Sequence, residues 1–192
     1  LNALDDLGTD VMLEGMTDLV KVHKHGATTI LNVDDAAWAD EYLLVSGNMN
    51  DLLNQANKKG LREETMNSLF EGDYTAELDA FAGSNSLEYL VMNNAYGGVH
   101  YADDLAFGGA NLSEILSAGS QMNQLTGTTN TLVNAGISEL NLMSAGGAAF
   151  ADELVNSGAD LSKVLGAAQL LGMGDDAVKN MVGWSTFRTR RG

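Results

Sequence analysis

The chain has 192 residues, long enough for one domain with a substantial core or for a short array of repeats; its net charge of −16 argues against nucleic acid, whose phosphates are held by clustered Lys and Arg. It has no proline and no cysteine, so disulfides and thiolate metal sites are excluded and every helix has to end on Gly, Asn or Asp. With 22 glycines and only 6% aromatic residues, the core must be built from Leu, Ala, Val and Met, whose modest size lets helices approach closely.

Residues 1–33 read differently from the rest. Asp10 to His25 carries Val11, Met12, Leu19, Val20 and Val22 at amphipathic helical spacing and is closed by Gly26; the β-branched run Ala27 to Val33 suggests a short strand. This segment is expected to be a cap with an extended connector. His23 and His25 lie two residues apart, which on a helix turns their rings about 200° from each other. They fit a basic, solvated helix end with Lys21 and Lys24 better than a chelate.

From residue 34 to 185 one pattern recurs. Gly60-Leu61-Arg62-Glu63, Asn85-Ser86-Leu87-Glu88, Asn111-Leu112-Ser113-Glu114, Gly136-Ile137-Ser138-Glu139 and Asp160-Leu161-Ser162-Lys163 have the form of helix starts, at steps of about 24 to 26 residues. Weaker copies fall on Asp35-Ala36-Ala37-Trp38 and Ser185-Thr186-Phe187-Arg188. Behind the starts come apolar positions expected to face a core: Leu112, Ile115 and Leu116; Ile137, Leu140 and Met143; Leu161, Val164 and Leu165. Breaks are expected at Ser117-Ala118-Gly119, Ser144-Ala145-Gly146-Gly147 and Gly172-Met173-Gly174.

A second set of helices repeats with the same period at Asp51 to Asn54, Glu77 to Ala80, Asp104 to Phe107, Thr131 to Asn134, Glu153 to Asn156 and Ala177 to Asn180. Helices of this length are marginal alone, because nucleation is costly and few hydrogen bonds repay it. The reading is therefore an all-α protein of tandem αα-hairpins of about 25 residues, stacked as an α-solenoid or gathered in a compact bundle. Residues 1–33 cap it, and a basic segment, 186–192, follows it.

Chemistry along the chain is sparse. His100 stands beside Tyr101 and Asp103 without a nucleophile elbow, phosphate loop or acidic metal cluster. The pairs Asp5-Asp6, Asp34-Asp35, Asp103-Asp104 and Asp175-Asp176 do not fit an EF-hand and read as helix N-terminal residues, with calcium between repeats as the other reading. Gly97-Gly98 and Gly108-Gly109 read as hairpin turns, and Met122, Met143, Met173 and Met181 as core. Neither a cofactor nor a catalytic set is expected.

Charge is segregated. No Lys or Arg occurs between Arg62 and Lys163, whereas Arg188, Arg190 and Arg191 form a dense positive cluster. The expected function is a non-enzymatic assembly subunit that associates with itself, head to tail into a filament, sheath or particle, through its acidic surface (Asp103, Asp104) and this basic segment. The alternative is a monomeric peptide- or protein-binding solenoid with Tyr89, Tyr96, Tyr101 and Phe107 as anchors. No nucleic acid and no transmembrane segment is expected, since no run of about 20 apolar residues occurs.

Overall fold

The computed structural model describes the backbone of residues 36–190 and the side chains of residues 36–182. The expected helix and strand of residues 1–33, with His23 and His25, lie outside the described residues. Those described are all-helical: α1 (Ala39–Ser46), α2 (Met49–Lys59), α3 (Arg62–Glu71), α4 (Thr75–Ala82), α5 (Leu87–Met92), α6 (Ala102–Phe107), α7 (Leu112–Gln121), α8 (Leu125–Asn134), α9 (Glu139–Gly146), α10 (Ala151–Asn156), α11 (Leu161–Leu170) and α12 (Gly174–Arg190). Short 3-10 turns at Val99–Tyr101 and Ala148–Phe150 lead into α6 and α10.

The expected second helices all fall inside even-numbered elements, α2 through α12. The first helices start where expected at Asn111 and Asp160, whose side-chain oxygens accept from the backbone N–H groups of residues 113 and 114 and of residues 162 and 163. Elsewhere the start shifts. Ser86 and Ser138 are the caps, accepting from Tyr89 and Asn141, and α3 follows Leu61. Gly60 and Gly136 instead close the preceding helices in left-handed conformation, with φ of 68° and 88°.

The shift at Ser138 rotates α9 and changes its buried face. Leu142 and Met143 are fully buried, whereas Leu140 is 40% exposed. Leu161, also expected in the core, is 51% exposed because it is the first residue of α11. Two further expectations are corrected. Ser117-Ala118-Gly119 lies within α7, which runs to Gln121, and residues 185–188 lie within α12, so no helix begins there.

Six of the twelve described helices end with one device. The N–H of Leu61, Ala110, Gln124, Ile137, Ala159 and Met173 donates to the carbonyl five residues back, on Ala56, Leu105, Gly119, Leu132, Leu154 and Ala168. This bond needs a left-handed residue just before the donor. Gly supplies it in five of the six cases, and Asn123 (φ 55°) in the other.

The described residues form two compact units, one up to Ala110 and one from Asn111 on. In the first, α1 packs on α2, α3 and α4, and α3 also packs on α6. Tyr42, Leu43, Leu52, Met66, Leu69, Leu78, Val91, Met92 and Tyr101 make its core. In the second, first helices pack on first helices (α7 on α9, α9 on α11) and second on second (α8 on α10, α10 on α12).

A longer internal period of 49 residues also emerges. Residues 98–124 and 147–173 share ten identities in 27 positions, among them Gly98/Gly147, Leu105/Leu154, Gly109/Gly158 and Ser113/Ser162. The local backbone matches too: Gly98 and Gly147 have φ of 81° and 79°, and the caps Asn111 and Asp160 have φ, ψ of −71°, 124° and −69°, 124°. In both, a serine two residues on donates its hydroxyl to the cap oxygen at 2.5 Å.

Gly119 shows what the missed helix break is for. A Cβ there would collide with the Thr128 side chain, whose hydroxyl is committed to the Gln124 carbonyl at 2.8 Å. Forty-nine residues on, the same two positions are Ala168 and Ala177, both fully buried. Gly119→Ala should destabilise the fold by about 1–2 kcal/mol, overpacking outweighing the better helix propensity. Gly119→Ala/Thr128→Ala should recover most of the loss, as urea denaturation midpoints will show; equal loss in both variants would contradict this packing.

Candidate interaction surface

The side chain that ties the first unit together electrostatically is Arg62, in the first turn of α3. Its guanidinium lies over the Tyr101 ring at 4.2 Å, pairs with the Asp104 carboxylate at 2.8 Å and donates to the His100 carbonyl at 2.6 Å. Tyr101 is 2% exposed and its hydroxyl donates to the Leu53 carbonyl at 2.9 Å. One arginine thus joins α3 to the 3-10 turn and α6, and Tyr101 carries the connection to α2. Such a cation over an aromatic face is worth about 1–2 kcal/mol when partly desolvated.

This clamp reassigns several residues that the sequence suggests as contacts. Tyr101 is core and cannot act as an exposed anchor. Asp104 faces Arg62, and an Asp103 oxygen is buried without a hydrogen-bond partner. Both lie in the first turn of α6, as expected for helix N-terminal acids. Asp175 and Asp176 likewise lie in the first turn of α12. Among the described residues, no group of three or more His, Asp or Glu side chains is placed to hold a metal ion, so the calcium reading has no site there.

The clamp sets protonation. Burial pushes the Asp104 carboxyl up to about 6 against the pull of Arg62, with the charge and hydrogen bond of Asp103 and the charge of Glu63 adding to the rise. Burial also raises the Tyr101 phenol to about 12. His100 is held below its ordinary value by burial and by Arg62, against Asp103.

Aromatic residues outside the clamp are more accessible: Tyr96 is 43% and Phe107 49% exposed, while Tyr89 is half-buried. Phe107 stands at the rim of a groove of about 510 Å³ in the first unit. Asp40 and Glu41 of α1, Glu63, Glu64 and Glu71 of α3, and Asp73 also line it, and no Lys, Arg or His does. Gly72 keeps the groove wall open, since a Cβ there would collide with the Ser68 carbonyl and press on the Asp40 carboxylate. The sequence signal for this groove is the acidic run through α3; its pairing with α1 follows from contacts across about 30 residues of chain, as when the Asp40 N–H donates to the Ser68 hydroxyl at 3.2 Å.

Arg188 and Arg190 fall on the backbone of α12 with side chains outside the described residues, and Arg191 lies outside them altogether. No described helix is long and apolar enough to cross a membrane. Comparison with protein-family models, curated proteins and solved structures finds no match to this chain.

The elevated Asp104 value fixes the sign of a pH effect. A carboxyl that binds its proton more tightly when folded favours the folded state most below its unfolded value near 4 and loses that contribution as pH rises through about 6. Urea midpoints measured from pH 4 to pH 7 should therefore contain a component that falls with rising pH and is missing in Asp104→Asn. Parallel profiles for the two proteins would show that Asp104 titrates normally.

Proposed function

We propose that this chain is a non-enzymatic assembly subunit, in which the basic segment Arg188 to Arg191 of one copy enters the acidic groove of another. The observation that carries this reading is the groove itself: six carboxylate residues and an exposed phenylalanine in a cleft without a basic lining residue. The segment from Phe187 to Arg191 offers three arginines beside one aromatic residue, matching the groove in charge and character. A contact between two different surfaces of the same chain propagates into a ring or filament.

The order of helix contacts in the second unit supports the same reading, because hairpins that pack first helix on first and second on second form an arrangement that extends by addition. Charge alone keeps the contact modest. Exposed pairs contribute about 0–1 kcal/mol each and are screened within about 8 Å at physiological salt. A monomeric adaptor that takes a basic peptide in this groove is the second reading, and the exposure of Tyr96 and Phe107 favours it.

Light scattering at 50 mM and 1 M salt separates the readings. Self-association should be strong at low salt, weaker at high salt, and reduced tenfold or more by Arg188→Ala/Arg190→Ala/Arg191→Ala. A monomer at 50 mM salt that binds an arginine-rich peptide would favour the adaptor instead.

A further inference from the structure

The 49-residue period makes the second unit its own reference. Hairpin α7–α8 is followed by another hairpin, α9–α10, which packs against it; hairpin α11–α12, one period later, is followed by none within the described residues. Equivalent positions can therefore be compared with and without a neighbour. Leu116 is 6% exposed and its counterpart Leu165 is half-buried. Leu132 is fully buried and its counterpart Met181 is half-buried. Thr129 is fully buried, while its counterpart Val178 is 45% exposed.

The uncovered face has not become polar. Repeat arrays that stop in water do so with a terminal repeat whose outer face is polar. Here Val178 stands where the covered copy has the fully buried Thr129, and Leu165 and Met181 stay apolar as Leu116 and Leu132 are. The donor position is also kept. Asn130 of α8 donates to the Ser157 carbonyl at the end of α10 at 3.0 Å, and its counterpart on α12 is the exposed Lys179, another donor. A helix-end carbonyl receives a cation well. Beside it lies a recess of about 410 Å³ lined by Gln169, Met173, Asp175, Asp176 and Lys179 among others.

We infer that the outer face of α11–α12 is a docking surface for a hairpin of a second copy, seated as α9–α10 is seated on α7–α8. The internal packing selects the occupant: the equivalent face of α7–α8 is covered by a hairpin of this same chain, so a hairpin of a second copy offers the matching surface. The contact rests on the self-association proposed above, adds to it an apolar component that salt does not screen, and makes the internal packing of the second unit the template for the interface.

Sedimentation of the full chain at 50 mM and 1 M salt tests this, comparing the native sequence, Val178→Asp, Val178→Thr and the triple arginine-to-alanine variant. Val178 is exposed, so circular dichroism should be unchanged by either substitution there. Val178→Asp should weaken self-association at least tenfold at either salt concentration, because a carboxylate would have to be buried where the covered copy holds Thr129. Val178→Thr, which installs the residue of the covered copy, should stay within about threefold of the native chain. Association as strong in Val178→Asp as in the native chain overturns the docking surface; if the arginine variant is then weakened, the charge contact stands without it. The reverse pattern sustains the docking surface and removes the charge contact. A native chain that is monomeric at both salt concentrations overturns both.

Discussion

Eleven of the twelve described helices contain only six to eleven residues. A helix of about 10 residues gains too few hydrogen bonds to offset the cost of its first turn, and it persists only where a neighbour covers its apolar face. The molecule meets this constraint with short, sharply terminated helices that are each covered by others. Left-handed glycines and Asn123 supply most of the terminations, and most of the covering comes from Leu, Ala and Met. Where two helices must come closest, as α7 and α8 do at Gly119, a side chain is dispensed with altogether.

The two units meet the constraint differently. The second uses apolar contact in sequential order, helix on like helix. The first adds a polar fastening, with Arg62 bridging elements about 40 residues apart in the chain and Tyr101 anchoring them to α2. Breaking such a half-buried pair by removing one partner costs more than the pair contributes, because the remaining charge stays desolvated. The fastening also explains why the conspicuous acidic pair Asp103-Asp104 is less available for partners than the carboxylates around Phe107.

What was legible in the sequence was local. Asn111 and Asp160 announce themselves because cap, serine and apolar positions fall in fixed order within five residues, and the second helices were readable from their recurrence. In sequence Gly60 and Gly136 resemble starts because a glycine closing one helix lies within two residues of the cap that opens the next. Gly119 looked like a break because sequence alone does not distinguish a glycine that ends a helix from one that admits a neighbour. The roles of Arg62 and Tyr101 depend on contacts across 38 to 48 residues, which no local pattern encodes. The 49-residue period was present in the identities but was masked by the shorter one nested within it.

Mutual covering is the central claim, and its consequence is that damage to one helix spreads. Leu142 is fully buried in α9, which packs on α7 and α11. Leu142→Ala removes about 2–5 kcal/mol of packing. Native-state hydrogen exchange of this variant, followed amide by amide, is the most direct measurement. Helices that depend on each other will lose protection together, in α7, α8 and α11 as well as in α9 and α10. Loss confined to α9 and α10, with α7, α8 and α11 exchanging as in the unsubstituted chain, would contradict the account.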